Sequence, residues 1–150
     1  MRLLQIIGIV LFGLLPFRAG AQTTGDSGRT NWDGIYAEGQ AERGAGIYTA
    51  NCEICHAANM RGGPGARGVV GLAFQYLWKD KTLGALFDAM RTKMPPGQPG
   101  TLTDQEYADV LAVILRGNGL PAGGATELPA DRAQLDAIVI TWEKPLSMVD

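Results

Sequence analysis

The feature that most limits what this chain can be is a five-residue run, Cys52-Glu53-Ile54-Cys55-His56. Two thiols three positions apart are followed at once by an imidazole, the C-x-x-C-H spacing of covalent haem attachment. At the end of a helix both thiols reach the two vinyl groups of one haem and form thioethers. The next residue then lies under the iron as an axial nitrogen ligand. These are the chain's two cysteines and its one histidine, so every residue suited to the task is in the run.

Three other uses of such a run fit less well. A structural zinc site needs four ligands, and this run offers three. A disulfide between residues so close in sequence closes a tiny loop and stabilises little. A thiol-disulfide oxidoreductase also uses C-x-x-C, but it requires a βαβ-containing sheet, and no alternating stretch of useful length occurs here.

The N-terminus has the order of a secretion signal: Met1-Arg2 as the charged region, the apolar run Leu3 to Leu15, Pro16, then Ala19-Gly20-Ala21. Cleavage is expected after Ala21, which makes residues 1–21 a signal peptide and the periplasm the expected location. The apolar run is short of the roughly 20 residues that span a bilayer, so membrane attachment follows only if the segment stays uncleaved. Its removal takes away Arg2 and Arg18 and leaves 11 basic against 15 acidic side chains. No basic stripe is left for nucleic acid.

The rest reads as one all-α domain with long glycine-rich loops. Residues 22–36 are expected as a flexible leader, whose apolar end Trp32–Tyr36 docks onto the domain. Residues 37–123 form the domain, and 124–150 a C-terminal extension that packs on it. Ala41, Gly44, Ala45, Tyr48 and Cys52 share one face of a helix over Glu38–Asn51. Residues 57–71 are a loop, followed by helices over Ala73–Lys79 and Thr82–Thr92. Met94-Pro95-Pro96-Gly97 stops the second of these, because proline lacks the amide hydrogen. A capping box of Thr103 and Glu106 opens the last strong helix, and a short helical segment lies near Asp131–Ile138.

The second axial ligand is expected from a methionine. Met60 is too near His56 to cross to the other haem face, Met148 lies in the tail, and Met90 sits on an apolar helix face as a packing residue. Met94 stands where the helix ends, and the prolines behind it hold the chain extended. His56 and Met94 together close both axial positions and raise the potential. Such an iron transfers electrons; a haem enzyme or sensor would need the Met94 side open.

In these features the chain resembles the class I c-type cytochromes over about Gly39 to Gly123. Met94-Pro95-Pro96-Gly97, Leu102 to Leu111, Trp32-Asp33-Gly34-Ile35-Tyr36 and Glu127 to Asp131 are similar to small cytochromes that accompany quinoprotein alcohol dehydrogenases of Gram-negative bacteria. The resemblance implies several short helices wrapped around one covalent haem c. It also implies a close crossing of first and last helices, at Gly44 and Tyr48 against Val110 and Val113. A loop proline whose carbonyl supports the ligand histidine is implied as well; Pro64 is the one proline in the loop, and Arg67 stands near where the resemblance places that proline. For the haem propionates it points to Trp78, Arg61 or Arg67, with core packing as the other role for Trp78. The implied function is a periplasmic carrier between a dehydrogenase donor and an oxidase or cytochrome acceptor of the respiratory chain, docked weakly at a bare haem edge.

Overall fold

A computed structural model describes residues 28–149; the expected signal peptide lies outside the described residues. Helix α1 covers Glu38–Asn51, and α2 is the single turn Glu53–His56. Next come a two-stranded hairpin of β1 (Gly62–Gly63) and β2 (Ala66–Arg67), then α3 (Leu72–Trp78), α4 (Leu83–Lys93), α5 (Asp104–Gly117) and α6 (Arg132–Asp136). The all-α expectation holds, and each expected helix falls within a few residues of its place. The hairpin is an addition. Its Pro64-Gly65 turn joins strands too short to alternate, so no periodic signal announces it.

Helix α5 is the central element. Its capping box forms as read: Glu106 N–H donates to Thr103 Oγ1 at 3.2 Å, and Thr103 N–H donates to Glu106 Oε2 at 2.7 Å. The bonds from Thr103, backbone first, hold the Glu106 carboxyl below its ordinary range. Every residue from Tyr107 to Leu115 is buried, because α5 is covered on several sides.

Helix α1 crosses α5 at Gly44. A methyl group on Gly44 would overlap the Asp109 carbonyl oxygen and lie 2.8 Å from Val113 Cγ2. Only a residue without Cβ lets the backbones approach so closely. At the edge of the crossing, Arg43 donates to both oxygens of buried Asp109 at 3.1 Å and to Glu127 at 2.9 Å.

Of the residues expected as a flexible leader, Asn31, Ile35 and Tyr36 are part of the buried interior, while Gly28, Arg29 and Asp33 are exposed. Asn31 is fully buried, Ile35 and Tyr36 nearly so. The reason is a set of bonds to the C-terminal extension that no local pattern reveals. The Asn31 amide donates to Thr141 O at 2.9 Å, its oxygen accepts from Thr141 N–H at 2.7 Å, and Trp32 Nε1 donates to the same carbonyl at 3.1 Å. Docking of the Trp32–Tyr36 patch matches the sequence reading. The extension itself contributes Leu128, Leu135, Ile138 and Ile140 to the core, and buried Gln40 grips the Leu128 backbone through both ends of its amide, at 2.7 and 3.1 Å. No helix among the described residues is long and apolar enough to cross a membrane.

Candidate functional site

Helix α1 delivers the cysteine run. Its last N–H bond passes from Cys52 to Tyr48 O at 2.8 Å, and the His56 N–H then bonds Cys52 O at 2.9 Å. This single extra turn sets Cys52, Cys55 and His56 side by side. Cys52 is half-buried and Cys55 exposed. Tyr48 fastens the next step of the chain by donating its hydroxyl to Ala57 O at 2.9 Å.

The run borders a cleft with two connected lobes, which share Cys55, His56, Val69, Met90, Met94 and Ile114 as walls. The larger lobe holds about 630 Å³, within the size range of small-molecule and cofactor sites. Cys52 lines the smaller lobe with Tyr48, Tyr107 and Val110. Phe74, Leu77, Trp78 and Leu86 line the larger. The walls are therefore mostly apolar, with an imidazole, the two thioethers of Met90 and Met94, and the cations Arg67, Lys81 and Lys93 among them.

His56 Nδ1 lies 2.6 Å from the Arg67 carbonyl oxygen. A carbonyl only accepts, so Nδ1 carries the proton and Nε2 is the ring nitrogen left with a lone pair. This corrects the expectation for Pro64. Pro64 is exposed and lines neither lobe; the supporting carbonyl comes from Arg67, on the return strand. Gly62, at φ +86°, allows the hairpin to fold so tightly, since a Cβ there would lie 2.5 Å from Gly68 N.

Met94 is the residue after α4, with extended backbone (φ −125°, ψ 144°). Its carbonyl accepts the Tyr107 hydroxyl at 2.7 Å, and that oxygen accepts the Gly100 N–H at 3.1 Å. Tyr107 thereby fixes the Met94 loop to α5. Sequence reading took it only as a member of the buried stripe; the signal available was that a buried tyrosine hydroxyl has to find a partner. Asn118 was missed altogether. It accepts from Gly71 N–H at 3.1 Å and donates to Val69 O at 3.0 Å, tying the glycine-rich loop to the end of α5.

Of the residues expected around the propionates, Trp78 and Arg67 line the larger lobe and Arg61 does not. Trp78 also packs on Phe74, with ring centroids 6.3 Å apart. The packing role suggested for it is thus present, and its place in the lobe wall keeps it beside the cleft.

The arrangement fits a flat, apolar, covalently held iron macrocycle: thiols at one rim, a nitrogen donor with its tautomer fixed, and two thioethers, Met90 and Met94, on the same cleft. It does not fit the competing uses of the run. Burial, and then the neighbouring Cys55, push the Cys52 thiol up to about 11, the reverse of a reactive exchange cysteine. Among the described residues no group of three or more His, Cys, Asp or Glu is placed to hold a metal ion.

The family model described as cytochrome c oxidase, cbb3-type, subunit III matches residues 39–114, just over half of the chain. That span runs from the start of α1 through the cleft residues to the last turn of α5. No curated protein and no solved structure matches the chain.

Proposed function

The chain belongs to this family of cytochrome c domains and carries covalent haem c, and from that premise we propose a monohaem electron carrier with one protein ligand on each face of the iron. In this reading Cys52 and Cys55 would form the thioethers, and His56 Nε2 and the Met94 sulfur would hold the iron. Bound haem supplies a one-electron iron couple. The residues hold it in place: the Arg67 carbonyl orients the imidazole, Tyr107 holds the Met94 loop, and the apolar walls exclude water. The observation that carries the reading is that His56 and Met94, 38 positions apart, line one cleft with both cysteines at its rim.

The expected export signal supports a periplasmic site of action, where such attachment takes place. The dehydrogenase-like flanks Trp32–Tyr36 and Glu127–Asp131 support a quinoprotein dehydrogenase as donor and the respiratory chain as acceptor. An upstream dehydrogenase would then recover with this chain on purification of the native protein.

Met94→Ala tests the ligand assignment. The wild type is expected to show the weak red absorption band of methionine-bound ferric haem and to bind carbon monoxide poorly when reduced. The variant loses the band and binds carbon monoxide readily. A wild type that lacks the band and binds carbon monoxide tightly would sink the carrier reading and favour an open-iron enzyme or sensor.

A further inference from the structure

The backbone immediately after His56 is in a conformation that the residue there does not favour. Ala57 has φ 63° and ψ 158°, a region that steric clashes leave almost entirely to glycine. An alanine stays there only where its neighbours hold it, and residues held in this way cluster at working sites. Three bonds hold Ala57. Its N–H donates to Glu53 O at 2.8 Å and closes α2, and its carbonyl accepts the Met60 N–H at 3.0 Å. The third comes from another helix: the Tyr48 hydroxyl donates to the same carbonyl at 2.9 Å. Tyr48 is buried on α1, one turn from the Gly44 contact with α5. It also lines the smaller lobe beside Cys52, Cys55 and His56. The strained residue is thus tied directly to the helix crossing.

We propose that Tyr48 is a positioning residue for His56: its hydroxyl holds Ala57 in the glycine-like conformation, and that conformation sets the direction in which the chain leaves the imidazole. The proposal rests on the reading of His56 as an axial ligand. A neutral buried hydrogen bond and strain of this kind are of similar size, so losing the hydroxyl lets Ala57 relax to a negative φ. The chain between His56 and the hairpin then turns, and the imidazole shifts against the Arg67 carbonyl. Two grips act on one ligand: Arg67 holds the ring from β2, and Tyr48 holds the backbone from α1. Without the hydroxyl the Met60 N–H still satisfies the Ala57 carbonyl. The effect therefore runs through conformation and not through an acceptor left unpaired.

The test uses the full haem-loaded protein in its reduced state and follows exchange of the His56 ring N–H with solvent by NMR. Upfield ring-current shifts of the other His56 ring protons mark the ring as lying over the haem. Their absence, or colourless protein, would overturn the ligand reading itself. Tyr48→Phe keeps the aromatic ring in the crossing and removes only the hydroxyl. It should speed exchange of the His56 ring N–H about tenfold or more, while the backbone amides of Val110 to Ile114 keep their rates. Adding Ala57→Gly to Tyr48→Phe should restore the wild-type rate, because glycine takes the conformation without being held. Ala57→Gly alone should leave that rate unchanged and lower the unfolding constant in urea about fivefold. An unchanged rate in Tyr48→Phe would overturn the proposal. Acceleration shared equally by the α5 amides would overturn it too, since it gives Tyr48 a packing role only. So would a failure of Ala57→Gly to rescue, or destabilisation by Ala57→Gly alone, which would mean that position 57 carries no strain. Where Tyr48→Phe yields no haem-loaded protein, its recovery by adding Ala57→Gly supports the proposal, and continued loss overturns it.

Discussion

The crossing of α1 with α5 and the cleft between α2, α3 and α4 are built on opposite plans. At the crossing, protein atoms complete one another: Gly44 meets the Asp109 carbonyl, and buried Gln40 satisfies the Leu128 backbone. At the cleft they do not. Mostly apolar walls face a space of about 630 Å³, and His56 is fastened at one ring nitrogen only. The crossing is a finished piece of folding, and the cleft is a fitting for something the polypeptide does not supply. A family of electron carriers needs both, because a cofactor held by a soft frame would not keep a constant environment.

The largest effect should come from breaking the fitting alone. Replacing Cys52 and Cys55 by alanine removes both attachment points, so no visible absorbance should remain with the denatured chain. If the contrast is right, far-ultraviolet circular dichroism keeps much of its helical signal, because α1 and α5 still complete each other. Loss of all helix in this variant would show that the crossing too depends on the cofactor.

Next comes the crossing itself. In an exposed helix Gly→Ala gains about 1 kcal/mol. At Gly44 the added carbon overlaps a backbone carbonyl, and overpacking of this kind costs about 3 kcal/mol. Urea titration of the haem-loaded protein should therefore show Gly44→Ala strongly destabilised, with its visible spectrum intact. A neutral result would mean that the helices slide apart easily, and the supposed rigid frame is not one.

A smaller loss, about 2 kcal/mol, is expected for Gln40→Leu, which leaves the buried Leu128 N–H and C=O without partners. The same titration reads it. A loss confined to the C-terminal extension, seen as faster amide exchange over residues 128–141 with α1 and α5 unchanged, would show that the extension is a separable strap rather than part of the frame.

The two regions also differed in how far the sequence disclosed them. The Gly44 crossing was anticipated through the resemblance to class I c-type cytochromes, while periodicity set only the helix faces. The Cys52–His56 run and Met94 could be singled out, and the structure brings them to one cleft, because their signals are local: a fixed spacing, and a helix stopped by two prolines. What stayed hidden depends on residues far apart in the chain. Asn31 looked like part of a polar leader because its partner, Thr141, is 110 positions away. Tyr107 looked like simple packing because its hydroxyl serves the Met94 carbonyl. A side chain's polarity is written in the sequence, but the address of its partner is not.

The smallest predicted effect bears on the one support that was placed wrongly. Pro64 was expected to offer its carbonyl to His56, and Arg67 offers it instead. Pro64 and Gly65 stand between the paired residues Gly63 and Ala66, with Gly65 at φ +103°, the i+1 and i+2 places of a turn that favours proline and then glycine. Proline there restricts the unfolded chain and sets the turn, and the return strand then brings the Arg67 carbonyl to the imidazole. Pro64→Ala should therefore cost under about 1 kcal/mol and leave the bond itself in place. In the haem-loaded protein, the His56 ring N–H resonance should keep its shift and its slow exchange with solvent. If that resonance moves or broadens away, position 64 governs the histidine directly, and the hairpin is more than a frame for Arg67.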